Sequence, residues 1–195
     1  GVRAKAEVEI QNTAGVVSHA AGEATRNRGE VSDSVIPGKE NIVVEEPAGV
    51  IGVIAPWNFP LVLTMRAVAP ALALGNSVVL KPDEHTPVTG GLLVARLFEM
   101  AGLPDGLLNV VTGHGSEIGD HFSGHETPEV ISFTGSTEIG RRVAKNAVEN
   151  FHFPALELGG NNAHIVTEDA DLELAIEAGA FGTFTQQGQV CISIN

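Results

Sequence analysis

From residue 49 onward, short unbroken apolar runs alternate with longer stretches of helical spacing, and few folds accept that alternation. Val50-Ile51-Gly52-Val53-Ile54 is apolar throughout, as a strand buried on both faces must be. Further strands are predicted over 77–80, 108–111, 130–133, 155–158 and 163–166. Between them, helices are predicted over 61–74, 89–100, 116–122, 136–148 and 171–184. Gly75-Asn76 and Gly102 are their expected stops, and Asp169 or Asp171 the expected cap of the last. Strands separated by helices pair in parallel through right-handed crossovers. The fold class is therefore α/β, a doubly wound parallel sheet, and ligands of such sheets bind beyond the carboxyl ends of the strands. Asn58, Lys81, Gly113, residues 134–136 and Gly159-Gly160 occupy those ends.

Before residue 49 the pattern differs. Residues 3–26 mix small apolar and polar positions at helical spacing, and residues 29–47 read as a hairpin or arm around Pro37-Gly38. The apolar stretch from Val68 to Leu80 is broken by Pro70, Gly75 and Asn76, so no run is long enough to span a bilayer. With 24 acidic against 11 basic residues the formal charge is −13, which argues against nucleic acid and anionic membrane as partners. Adaptation to high salt is a second reading of that acidity. The single cysteine leaves no internal disulfide and no multi-cysteine zinc site. It fits a reducing compartment, so a cytoplasmic location is expected. The chain begins at Gly1 and stops four residues beyond Cys191; an internal piece of a longer protein is expected, with exposed apolar surface.

Several residues could carry chemistry, and each also has an ordinary structural reading. Cys191 follows the tight Gly188-Gln189 approach and is either a nucleophile or a buried thiol. Glu157 sits within the apolar segment Ala155-Leu156-Glu157-Leu158, as a general base or an outward-facing edge residue. Asn58, between Trp57 and Phe59, could donate to a developing oxyanion or simply form a turn. Phe133-Thr134-Gly135-Ser136 ends a strand and opens a helix, where phosphate is favoured, although the usual G-x-G-x-x-G spacing is absent. Lys81 and Glu84 could hold ribose or be a surface pair. His121 and His125 share a helical spacing, but Gly124 and Pro128 interrupt it and no third ligand is evident, so no metal is expected.

Taken together, the motifs resemble the aldehyde dehydrogenase superfamily. Pro56-Trp57-Asn58-Phe59-Pro60, Lys81-Pro82-Asp83-Glu84, Phe133-Thr134-Gly135-Ser136, Leu156-Glu157-Leu158-Gly159-Gly160 and Gly188-Gln189-Val190-Cys191 occur in the family's order and separations. Thr64-Met65-Arg66, the segment from Val68 to Asn76, Gly159-Gly160-Asn161-Asn162-Ala163 and Gly179-Ala180-Phe181-Gly182 are most similar to the benzaldehyde and vanillin type. The resemblance implies oxidation of an aldehyde, aromatic in that subgroup, to the acid with NAD, or alternatively NADP. It implies Cys191 as nucleophile, Asn58 with the Cys191 N–H as oxyanion donors, and Glu157 as the base that activates water. It implies cofactor contacts at Lys81, Glu84, Ser136, Trp57, Gly135, Gly113 and Ile54. Glu84 favours NAD because a carboxylate repels a 2′-phosphate.

The family layout further implies a helical part over 1–28, an oligomerisation arm over 29–47 and an NAD(P)-binding domain over 48–158. The catalytic domain would begin over 159–195. It also implies a homo-oligomer, dimer or tetramer, at full length, with the chain alone inactive. Two other functions stay open: a CoA-acylating semialdehyde dehydrogenase, which Glu157 disfavours, and a catalytically silent paralogue.

Overall fold

The computed structural model describes residues 3–26 and 29–194; the boundary expected at residue 28 lies outside them. Helix α1 (Arg3–Glu23) precedes an antiparallel hairpin, β1 (Gly29–Asp33) and β2 (Glu40–Val44), whose ten residues are all exposed. A five-stranded parallel sheet follows in the order β5-β4-β3-β6-β7. Its strands are β3 (Val50–Ile54), β4 (Ser77–Lys81), β5 (Leu108–Val110), β6 (Val130–Thr134) and β7 (Phe153–Glu157). The chain winds outward from β3 to β5, then returns to lay β6 on the other side of β3. That reversal makes the β3/β6 boundary the switch point where doubly wound sheets bind ligands.

The connecting helices are α2 (Pro60–Ala73), α3 (Leu93–Met100), α4 (Gly115–Ser123) and α5 (Thr137–Glu149). In α2, Leu61, Thr64, Met65, Val68 and Ala69 are buried, the spacing of one helical face. Pro60 occupies the first turn, where its missing N–H is harmless. Gly75 stops the helix with φ of 84°. Asn76 then accepts from the Gly49 N–H at 3.0 Å and donates to Ala71 at 3.1 Å, fixing the entry to β3. A π-helical turn, Val88–Leu92, precedes α3; Thr64 donates to Gly90 in it at 2.9 Å. One core cluster joins Ile51, Val53, Leu61, Met65, Val78, Leu80 and Val94. A second joins Ile131, Phe133, Val143 and Ala147 under α5.

Two expectations need correction. The strand expected over 163–166 does not form: Ile165 and Val166 are exposed, and the isolated bridge nearby, to Ile194, is made by Asn162 just before the segment. A strand needs a neighbour to satisfy its backbone, and after β7, the sheet edge, none of the described residues supplies one. The strand expected over 155–158 is Phe153–Glu157, since Pro154 is tolerated at an edge. The last helix, α6 (Leu172–Phe184), is capped by Asp171, which accepts from the Leu174 N–H at 3.1 Å. None of its residues is buried, and Leu172, Leu174, Ile176, Phe181 and Phe184 face outward uncovered.

Candidate functional site

A cavity of about 460 Å³ opens at the switch point, beyond the carboxyl ends of β3, β4 and β6. Ile54, Trp57, Lys81, Glu84, Gly135 and Ser136 all line it. Six of the seven expected cofactor contacts therefore meet in one place. Gly113 does not; it packs against Ile118, where an added Cβ would lie 2.9 Å from that side chain. Helix α5 opens at the cavity, and the Ser136 hydroxyl caps it by accepting from the Ile139 N–H at 3.4 Å. Gly135 runs so close to the buried Phe133 ring that a Cβ there would sit 2.5 Å from it, so only bare backbone fits between the ring and a ligand.

Lys81 is buried, which rules out the reading as a plain surface pair. Its ammonium donates to the Pro82 carbonyl at 3.3 Å and lies 3.9 Å from Glu84. A buried ammonium so sparsely bonded suits an additional acceptor such as a ribose or phosphate oxygen. Partial burial pushes the Glu84 carboxyl up, but the Gly115 N–H at 3.2 Å, its own N–H, Lys81 and His114 outweigh it. The group therefore lies below the ordinary glutamate value. The donor set, with a helix N-terminus, a lysine and a carboxylate at one switch point, fits a dinucleotide.

Sequence reasoning missed the far wall of this cavity, which Asp120, Ile139, Arg142 and Val143 supply from α4 and α5. Arg142 bonds to Asp120 and holds its carboxyl below the usual range, with Asn146 adding a bond at 3.0 Å. The spacing of Ile139, Arg142 and Val143 on one helical face was the available signal. His121 and His125 meet edge-on with ring centroids 5.2 Å apart. Among the described residues no group of three metal-ligating side chains gathers there.

A second pocket, of about 250 Å³, brings Cys191 and Glu157 together with Leu63, Arg66 and Thr134. Both Cys191 and Glu157 are exposed, so Glu157 is the outward end of an edge strand and Cys191 is not a buried thiol. The approach to Cys191 is a tight turn in which Gln186, Gln187 and Gly188 all take positive φ. The Asn58 side chain donates to the Gln189 carbonyl at 2.8 Å, which joins the third candidate to the cysteine segment. Asn162, unnoticed as a site residue, donates to the carbonyls of Cys191 and Ser193, each at 2.9 Å. The two cavities share Thr134, and the Gly135 N–H donates to the Glu157 carbonyl at 3.0 Å. The adjacent ends of β6 and β7 thus set Thr134 and Glu157 beside the switch-point cavity, and the turn after Gly188 brings Cys191 to the same pocket.

The sequence profile of the aldehyde dehydrogenase family matches residues 1–195. A benzaldehyde dehydrogenase of Bacillus subtilis is 52% identical over 195 residues, covering 100% of this chain and 40% of the relative. A vanillin dehydrogenase of Corynebacterium glutamicum is also 52% identical, over 99% of this chain and 40% of the relative. The crystal structure of an NAD-dependent benzaldehyde dehydrogenase from Corynebacterium glutamicum superimposes with a TM-score of 0.94 at 52% identity. It covers 100% of this chain and 43% of that one. The chain thus spans about two fifths of the length of the relatives it matches.

Proposed function

The chain belongs to the aldehyde dehydrogenase family, and we propose that it carries the cofactor-binding and nucleophile-bearing part of an enzyme that oxidises an aromatic aldehyde to its acid with NAD. The observation that carries this reading is the pocket shared by Cys191 and Glu157 beside the switch-point cavity. The aromatic preference follows the substrates named for the relatives.

In this reading the Cys191 thiol gives its proton to water, and the sulfur adds to the carbonyl carbon to form a thiohemiacetal oxyanion. One N–H of the Asn58 amide is held by Gln189, which leaves the other, with the Cys191 N–H, to hold the oxyanion. When bound, the nicotinamide would supply the acceptor for the hydride that leaves the thiohemiacetal carbon. The acyl group then remains on Cys191 as a thioester. Glu157 takes a proton from water, the hydroxide attacks the acyl carbon, and the acid leaves with the thiol restored. Lys81 and Glu84 hold the adenosine ribose, Ser136 and Gly135 the pyrophosphate, and Ile54 and Trp57 line the slot. Gly113 acts only through the loop that leads to α4.

The same reading assigns residues 48–158 to the cofactor domain and 159–195 to the start of the catalytic domain. The exposed β1–β2 hairpin becomes an arm for self-association, and α1 belongs with the cofactor domain. The test uses the protein at its full natural length, mixed with NAD and benzaldehyde, and follows absorbance of the reduced nicotinamide. Turnover without CoA supports the reading. Turnover only with CoA, or none with any aldehyde, refutes it.

A further inference from the structure

The most deeply placed carboxylate outside both pockets is that of Glu9, on α1. It is buried, and it accepts from the Leu61 N–H at 2.7 Å and the Val62 N–H at 3.2 Å. These amides open α2, whose preceding residue, Phe59, offers no side-chain acceptor and whose first residue is a proline. A helix start buried without a partner is unfavourable, and Glu9 supplies that partner from an element that is remote in sequence. A carboxylate there also complements the positive end of the helix dipole. Lys5 pairs with Glu9, and its ammonium lies 4.3 Å from the centre of the Phe59 ring, within cation–π range. Thr13 donates to the Glu9 carbonyl at 2.7 Å and steadies the backbone beneath.

These contacts grip Phe59 on one side and Leu61 on the other, directly after Asn58. We infer that Glu9, together with Lys5, is a positioning residue for Asn58. It fixes the first turn of α2 so that the Asn58 amide reaches both Gln189 and an oxyanion formed at Cys191. The inference rests on the reading of Asn58 as an oxyanion donor. Helix α1 then has a catalytic consequence although no residue of it touches the substrate.

A double-mutant cycle at full natural length tests this. Glu9→Ala should lower kcat/KM for the aldehyde by about 10²-fold, the effect of a misplacement near 1 Å. The dissociation constant for NAD should stay unchanged. In an Asn58→Ala background, Glu9→Ala should add no further loss. If Glu9→Ala fails to fold, Glu9→Asp carries the same cycle, because it keeps the charge and withdraws the oxygens by one methylene. The double variant Glu9→Gln with Lys5→Met keeps an acceptor for the Leu61 and Val62 amides but loses the cation over Phe59, and should recover only part of the rate. Full activity in the folded Glu9 variants, or losses that multiply independently of Asn58, would overturn the inference. Full activity of Asn58→Ala alone would instead overturn the reading of Asn58.

Discussion

The side-chain amide of Asn58 donates to the backbone carbonyl of Gln189 at 2.8 Å, and so ties the loop before α2 to the segment that carries Cys191. A substituent that keeps the shape but cannot donate should be worse than a truncation. Asn58→Ala is expected to lower kcat/KM by about 10²–10³-fold, the usual effect of losing one oxyanion donor. Asn58→Asp should fall further, since a carboxylate there repels both the Gln189 carbonyl and the oxyanion. Steady-state kinetics on the two variants decide it; a more active Asp than Ala variant would contradict the assignment.

Glu157 should matter after the redox step and not before it. In Glu157→Gln the pocket keeps its shape, so a first-turnover burst of reduced nicotinamide should persist. The steady rate should drop by about 10²–10⁴-fold, the contribution of a positioned general base. Rapid mixing separates the phases. Loss of the burst together with the steady rate would place Glu157 in thiol activation instead.

Glu84 sets a cofactor and pH prediction. Glu84→Gln should weaken NAD by roughly ten- to a hundredfold, the worth of one or two hydrogen bonds to a charged group, and weaken NADP less. The folded-state carboxyl titrates below the ordinary value of 4.5. Its contacts therefore stabilise the fold above that value, and the stabilisation is lost as pH falls through the lower folded value, because the unfolded chain takes up the proton first. The difference in NAD affinity between wild type and Glu84→Gln should persist from neutrality into the acid range and begin to shrink only at a lower pH than for an ordinary glutamate. Fluorescence titration of NAD checks it; a difference that vanishes well above that pH would exclude the carboxylate as the ribose ligand.

Asn162 holds the turn that carries Cys191. Its two bonds to the carbonyls of Cys191 and Ser193 are worth about 1–3 kcal/mol together. Asn162→Ala should lower the urea midpoint accordingly and speed alkylation of the exposed Cys191. An unchanged midpoint and an unchanged alkylation rate would show that the bonds do not restrain the thiol.

The parallel sheet was legible because Val50 to Ile54 is an unbroken apolar run, with Ile51, Gly52 and Val53 buried in succession and no alternation to misread. That Lys81, Glu84 and Ser136 meet at one cavity was legible because they fall where strands stop. The strand expected over 163–166 failed because apolar content alone says nothing about whether a partner edge is present. Glu9 and Asn162 stayed hidden because their partners are backbone groups remote in sequence, at Leu61 and Cys191, which side-chain identity does not announce. Exposure of Glu157 was undecidable from alternation alone, since either face of β7 accepts that pattern.

Gly135 joins fold and site most directly. A Cβ at this position would sit 2.5 Å from the Phe133 ring, which is itself buried in the cluster with Val143 and Ala147. The ring also borders the switch-point cavity, so Gly135→Ala must shift either the ring, into the space a cofactor would use, or the strand-to-helix turn. Overpacking of that kind costs about 1–3 kcal/mol, expected as a lower urea midpoint. The same shift moves Ser136 and the start of α5, so NAD affinity should fall along with stability. Because the Gly135 N–H also bonds to the Glu157 carbonyl, the steady-state rate should fall beyond what saturating NAD restores. A variant with native stability, or one whose full rate returns at saturating NAD, would show that the turn yields without disturbing the carboxylate.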